Sequence, residues 1–518
     1  MKIERTKNAS RNIVFGLLLR AYQIILPFVI RTVMIYYMGE QYVGLDSLFT
    51  SLIQVLSLTE LGVGVAMVYS MYKPIVEDDA ETICALMRLY RIYYRVIGIV
   101  IAVIGLALSP FIPYLVKSDL PSDVNLYVLY WLNLASTVLS YWLFAYKNSL
   151  FQAHQRNDVV SKVIISTNTI RYVLQLAIVI FWKNYYAFVI TLLATQTLTN
   201  IVTAIASNKM YPNYKPKGTL DKGVRQSINR RIRDLFTAKF SGVIVNSADS
   251  VVISAFLGLS VLAIYQNYFS ILTAITSVLL IVFQSCTAGI GNSVLVETKD
   301  KNYRDLKSFT FIIVWVSGFV SACLLCLFQP FMEIWMGKGR LLEYSAVICF
   351  AVYFFVCEIN QLLNTYKDAA GIWHEDRFRP LATAMTNLVL NLIMVQFWGI
   401  YGVLLSTVLS MIIVGMPWLL HNLFTTLFEK ERLPDYLKSL FLYVGITVVV
   451  CSITAVVCHL VPLSGWAALL VRGAICCVLP NVLFLIVYRK TAEFRRMVML
   501  ADKMTKGKLG LARRMKLE

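Results

Sequence analysis

Apolar residues run through this chain in blocks of about twenty or more, separated by short polar connections that are mostly basic. At ~1.5 Å of rise per residue, each block is long enough to cross ~30 Å of hydrocarbon as a helix. Reading the blocks in order predicts helices over 12–37, 42–70, 92–117, 124–150, 159–182, 185–207, 234–257, 261–292, 308–335, 344–368, 380–398, 401–427, 437–460 and 466–488. Ten-residue segments of alternating polarity, the mark of a membrane barrel, are absent. The first apolar block is too long for a signal h-region and lacks a small-residue cleavage site, so it reads as a retained membrane helix. The pattern predicts an all-α integral membrane protein of about fourteen transmembrane helices.

Composition agrees, with 58% hydrophobic and only 15% charged residues, against roughly 25% charged in an average soluble domain. The net charge of +19 raises nucleic acid as a partner, but its distribution argues for membrane lipids instead. With the N-terminus inside, almost every Lys and Arg falls on a cytoplasmic segment or an abutting helix end; Lys117, Lys183, Lys338, Arg340 and Arg472 are the outliers. This positive-inside bias predicts a multi-pass protein with both termini in the cytoplasm. The basic surplus also attracts anionic lipid, and no nucleic acid is expected. Of the ten cysteines, Cys323 and Cys326 have CxxC spacing inside an apolar helix, with no histidine or second pair near them in sequence. They read as packing residues, and no metal site is expected.

The chain also repeats itself. Gly39 and Gly44 match Gly258 and Ala263 at an offset of 219; Tyr146, Lys147 and His154 match Tyr366, Lys367 and His374 at 220; Phe181, Trp182 and Tyr185 match Phe397, Trp398 and Tyr401 at 216. Six helices per repeat keep both copies in one orientation, which predicts two parallel six-helix lobes around a central cavity, related by an axis along the membrane normal. The segments are then an N-lobe over 1–207, a basic cytoplasmic linker over 208–233, a C-lobe over 234–427, two extra C-terminal helices within 428–489 and a basic cytoplasmic tail over 490–518. In that tail Phe494, Met497, Val498, Met504 and Leu511 recur at helical spacing, which predicts a helix lying on the inner membrane surface.

An ionisable residue inside a membrane helix costs about 2.5–3.5 kcal/mol or more, so each one requires a reason. Arg20 and Arg31 lie eleven residues apart and share a helix face, and the repeat offset carries Arg20 onto Lys239. Arg20, Lys239 and Arg31 are therefore candidates for binding a substrate anion, with snorkelling to the headgroups as the alternative. The same offset carries Arg31 to Ser250 beside Asp249, making Arg31 and Asp249 either a breakable gate or a static structural pair. Glu60, ahead of Gly62 and Gly64, either binds a coupling proton or cation or neutralises Arg20. Glu358, Gln361, Asn364 and Thr365 share one helix face, with Asn387 and Asn391 one turn apart on the next helix. They form either a coupling-cation site or a buried hydrogen-bond network. No phosphate-cradling glycine loop, histidine cluster or nucleophile–base pair accompanies them, so no enzymatic chemistry and no cofactor is expected beyond H+ or Na+ as coupling ion.

Several stretches resemble a known family. GLDSLFTSLIQVLSLTELGVG (44–64), VYSMYKPIVEDD (68–79), YPNYKPKG (211–218), DSVVISAFLGL (249–259) and AIYQNY (263–268) are similar to the polysaccharide flippases. These form the O-antigen, capsule and teichoic-acid exporter branch of the multidrug/oligosaccharidyl-lipid/polysaccharide exporter superfamily. The resemblance implies a bacterial cytoplasmic-membrane transporter that moves an undecaprenyl-pyrophosphate-linked oligosaccharide from the inner to the outer leaflet by alternating access, coupled in some members to H+ or Na+. It further implies a polysaccharide polymerase and glycosyltransferases as partners. Two features depart from the family pattern: Asp46 stands where Asn is expected and is a candidate gate residue, and the eighth helix carries no cation. A cation-coupled multidrug exporter of the same fold and a membrane-embedded polysaccharide polymerase or ligase are the competing readings.

Overall fold

The computed structural model describes residues 5–60, 62–117 and 120–504, with side chains other than those of 5–10, 13, 17, 58, 59, 234–239, 246, 285, 288 and 500–504. The described residues are helical throughout their regular structure, with no strand among them. They divide into two compact units, Met1–Ala263 and Ile264–Glu518.

The first unit holds α1 (Arg5–Tyr37), α2 (Glu40–Leu56), α3 (Val63–Val76), α4 (Ala80–Leu108), α5 (Leu126–Trp142), α6 (Asn148–Ala153), α7 (Asn157–Ala177), α8 (Tyr185–Met210) and α9 (Lys222–Leu257). Here α1 packs along α7, α2 along α9, and α5 between α4 and α8. α10 (Leu259–Val296) leads into the second unit, which continues with α11 (Lys299–Met336), α12 (Tyr344–Ala369), α13 (Arg379–Ser410), α14 (Met416–Thr426), α15 (Leu433–His459), α16 (Gly465–Tyr488) and α17 (Ala492–Met504). α11 is the hub of that unit and packs against α12, α15 and α16.

Among the described residues, eleven helices are long and apolar enough to span a membrane, or twelve if α5 and the stretch Ala145–Ala153, bent by 49°, form one span. The chain is thus a multi-pass membrane protein. Two further local events bring the fourteen predicted segments to twelve. The helix predicted over 42–70 is broken: a short 3-10 turn, Ser57–Glu60, follows α2, and Gly62 takes a left-handed conformation (φ 88) before α3 restarts. Only glycine adopts that conformation without a Cβ penalty. The two segments predicted over 380–398 and 401–427 fall within one stretch, Arg379–Thr426, turned at Gly399 (φ 53, ψ −129).

The sequence repeat reappears in backbone conformation. Gly39 and Gly258 both have positive φ (121 and 99), and both donate their N–H to the carbonyl five residues back, Met34 and Ile253, at 3.0 Å. Lys183 and Gly399, 216 residues apart, both have positive φ (50 and 53), immediately after the exposed pairs Phe181–Trp182 and Phe397–Trp398. These turns close helices at matched places.

The C-terminal helix departs from expectation. α17 does not present its apolar stripe to a membrane surface: Phe494 and Val498 are buried in the second unit's core, where the Phe494 ring stacks on Trp315 at 5.9 Å. Glu493 pairs with Lys307 at 3.7 Å. An apolar stripe states only that a helix must cover something, and α11 is what it covers. Leu511 lies outside the described residues.

His154 caps α6 and is buried, with Nδ1 2.8 Å from the Leu150 carbonyl and its ring stacked on Tyr211 at 4.4 Å. Its sequence match, His374, is exposed. Burial pushes the His154 imidazole below its ordinary pKa of 6.5. The unfolded chain then binds the extra proton first, so this residue's contribution is intact above about pH 6.5 and is lost as pH falls toward the folded value. Thermal unfolding in detergent should show a fall in melting temperature below that pH which His154→Gln removes; an unchanged pH profile in the variant would count against the assignment.

Candidate functional site

Inside the first unit, α4, α5, α7 and α8 enclose a polar cavity of about 320 Å³. That size is at the lower end of the ~300–1,000 Å³ typical of ligand pockets. Its lining includes Glu60, Tyr94, Tyr141, Asn148, Asn168, Gln196, Thr199 and Asn200. Glu60 reaches it because the helix breaks directly after this residue. Its carboxylate accepts hydrogen bonds from Tyr94 Oη (2.5 Å, to Oε1) and Tyr141 Oη (2.6 Å, to Oε2), and Tyr90 Oη donates in turn to Tyr94 Oη at 2.6 Å. Among the described residues no cation pairs with Glu60. Its side-chain partners are the two phenols.

Other lining groups have capacity to spare. Asn200 Nδ2 donates to the Ser140 carbonyl at 2.8 Å and Thr199 bonds Thr167 at 2.8 Å, but Asn148 Oδ1 is buried with no partner among the described residues. A buried polar atom without a partner calls for water or ligand. The sequence reading missed Tyr94, Tyr141, Asn168, Gln196 and Asn200. For Asn168, Gln196 and Asn200 the signal was the polar runs STNT (166–169) and TQTLTN (195–200) inside otherwise apolar helices.

The other expected residues distribute as follows. Asp46 on α2 is half-buried within electrostatic reach of Arg31 on α1 and Arg171 on α7. Arg171 also lies over the Tyr172 ring at 4.6 Å. Arg20 is exposed, and Asp249 is buried on α9. The side chain of Lys239 lies outside the described residues.

In the second unit Glu358 is 1% exposed, and among the described residues neither carboxylate oxygen meets a hydrogen-bond donor in bonding geometry, although Thr276 is beside it. The polar stripe expected to continue from it divides. Gln361 is half-buried, while Asn364 accepts from Arg379 Nη2 at 2.7 Å, drawn into a separate cluster. Asn387 donates to Thr407 Oγ1 at 2.8 Å, and Asn391 is fully buried one turn on. The expected grouping of these side chains as one cation site is thus corrected for Asn364.

That separate cluster has counterparts in both units. Asp376, 2% exposed, takes a two-pronged contact from Arg379 (2.6 and 2.8 Å), with Lys367 at 3.6 Å and Asn422 Nδ2 at 3.1 Å. In the first unit Asp158, fully buried, is held by Arg156 at 2.8 Å and Lys162 at 3.3 Å, while Lys147 bonds Asn208.

Comparison with known proteins places this arrangement. Residues 9–288, more than half of the chain, match the model of a family described as polysaccharide biosynthesis protein. The chain belongs to that family. Among solved structures, this family member resembles an inward-facing multidrug resistance MATE family transporter of the MOP superfamily, with a TM-score of 0.63 at 14% identity, covering 81% of this chain and 99% of the other. It also resembles the lipid II flippase MurJ in an inward closed conformation, with a TM-score of 0.62 at 15% identity, covering 92% and 99%. A MOP superfamily transporter from Pyrococcus furiosus follows at a TM-score of 0.54 and 13% identity, covering 83% and 96%. The family member thus has the fold of the MOP superfamily transporters. No curated protein matches its sequence.

Proposed function

We propose that this protein is a flippase that carries a lipid-linked oligosaccharide, of the undecaprenyl-pyrophosphate type, from the inner to the outer leaflet by alternating access between two six-helix lobes. The polar cavity in the first unit of a chain from a polysaccharide biosynthesis family is the observation that carries this reading. A saccharide leaving water needs replacement hydrogen bonds for its hydroxyls, each costing roughly 1–3 kcal/mol if left unmade. Amides and hydroxyls such as Asn148, Asn168, Gln196 and Thr199 offer them, and the polyprenyl tail stays in lipid. The pyrophosphate requires cations, for which Arg20, Lys239 and Arg31 are the candidates. Asp46 and Asp249 are the candidate gate acids in the same scheme. Glu60, and in the second unit Glu358 with Gln361, Asn387 and Asn391, are the candidate sites for a coupling H+ or Na+. Both termini then face the cytoplasm of a bacterium, and a polymerase and glycosyltransferases act before and after the transfer.

Reconstitution tests this directly. Vesicles holding the purified protein and a fluorescent undecaprenyl-pyrophosphate oligosaccharide should expose that lipid to an external lectin faster than empty vesicles. Arg20→Ala with Lys239→Ala should reduce the rate to the empty-vesicle level. Equal rates for the parent and empty vesicles, with the lipid bound normally, would remove the flippase reading.

A further inference from the structure

Four of the ten cysteines meet at one place in the second unit. Cys326 on α11, Cys458 on α15 and Cys476 on α16 are all buried, with their sulfur atoms within 4.8 Å of one another and 4.0 Å between Cys458 and Cys476. Cys323, one turn from Cys326, packs against the three. Sequence spacing offered only the Cys323–Cys326 pair; the packing of α15 and α16 onto α11 supplies the other two sulfurs. Small side chains at a helix interface need only volume. Three sulfurs drawn from three helices and converging on one point are more than packing requires.

The spacing suits a metal. Metal–sulfur bonds of ~2.3 Å directed to the corners of a triangle hold sulfurs ~4.0 Å apart, so a slight contraction would close this triad on one ion. The donor set is all sulfur, with no carboxylate or imidazole in it. Such a set selects soft ions, Cu(I) above all. Charge can also be matched. Arg472 lies one turn before Cys476 on α16, with its Nε buried and without a partner among the described residues and its Nη2 3.5 Å from the Val461 carbonyl. Access is short as well, because Cys458 is the penultimate residue of α15 and lies next to the connection to α16.

We propose that Cys326, Cys458 and Cys476 form a three-sulfur site for Cu(I), with Arg472 as its counter-charge. On binding, two thiols each release a proton to solvent and bond the ion as thiolates, and the third sulfur bonds as a neutral thiol; no electron is transferred. The resulting single negative charge is balanced by Arg472. The ion ties the α15–α16 hairpin to α11.

The test uses the full-length protein, purified in detergent under reducing conditions and titrated with Cu(I) against a chromophoric Cu(I) chelator. About one ion per chain should survive competition in the parent and in Cys477→Ser, whose thiol is exposed. Cys458→Ser and Cys476→Ser should each weaken retention at least about tenfold, the loss of one soft ligand. X-ray absorption of the loaded parent should give a first shell of three sulfurs. This second measurement decides the question even if a variant fails to fold. Retention unchanged in both serine variants, a first shell containing nitrogen or oxygen, or no ion surviving the chelator would each overturn the proposal.

Discussion

Glu60→Gln is expected to cut transport by about ten- to a hundredfold while the protein still reaches the membrane at parental level. The carboxylate takes one phenol on each oxygen, Tyr94 at 2.5 Å and Tyr141 at 2.6 Å. Hydrogen bonds to a charged group contribute about 1.5–3 kcal/mol, and each ~1.4 kcal/mol is a factor of ten. Glutamine preserves shape and polarity but cannot change its charge, so it separates a titrating role from a merely polar one. Tyr94→Phe and Tyr141→Phe each remove one donor and should cost less than the glutamine variant. Uptake of a lipid-linked oligosaccharide into vesicles, with and without an imposed pH gradient, measures both the rate and its dependence on the gradient. If Glu60→Gln keeps the parental rate and still responds to the gradient, the coupling ion binds elsewhere, and Glu358 becomes the next candidate.

Asp376→Ala should be the most damaging substitution for the fold. Removing the carboxylate leaves Arg379, 5% exposed, buried with one weak neutral partner, and leaves Lys367 facing it. Breaking a buried pair from one side costs about 3–5 kcal/mol, a large share of the ~5–15 kcal/mol that holds a domain together. Arg379→Lys should lie between the parent and the alanine variant, since a single ammonium cannot reproduce the two-pronged contact at 2.6 and 2.8 Å together with the bond to Asn364. The corresponding Asp158→Ala should be milder, because Lys162 there has a side chain 47% exposed and can turn to water. Melting of the detergent-solubilised variants, followed by tryptophan fluorescence, ranks them. An Asp376→Ala protein that melts with the parent would mean that the cluster is decoration.

The membrane-crossing helices were legible because hydrophobic length alone sets them. The matched turns at Gly39 and Gly258 were legible too, since glycine spacing records backbone conformation directly. The break after Glu60 was written in Gly62, yet a hydropathy window runs straight across it. The cavity was harder. Charged residues in membrane helices drew attention first, whereas the groups that line it are amides and hydroxyls such as Asn168 and Thr199, whose cost in lipid is too small to stand out individually. The Asp376 cluster shows a further limit. Its Asp–Arg pair is three residues apart and could be read locally, but Asn364 and Asn422 join it from other helices, and only packing brings them there. The same holds for α17, whose stripe was visible while its destination was not.

The paired rings at Phe181–Trp182 and Phe397–Trp398 carry a last consequence. All four are exposed, between 58% and 79%, each pair at a turn where the backbone reverses sign in φ. Tryptophan prefers the depth of the lipid carbonyls, with its ring in the acyl boundary and its N–H toward water. Placed at that depth, each pair would give its unit a float line of its own. A bilayer thicker or thinner than the apolar helix lengths leaves these collars at the wrong depth unless the helices tilt or the lipid deforms, at fractions of a kcal/mol per Å of mismatch. Reconstitution into lipids of shorter or longer acyl chains should therefore shift the melting temperature, with its maximum where the chains match the apolar helix lengths.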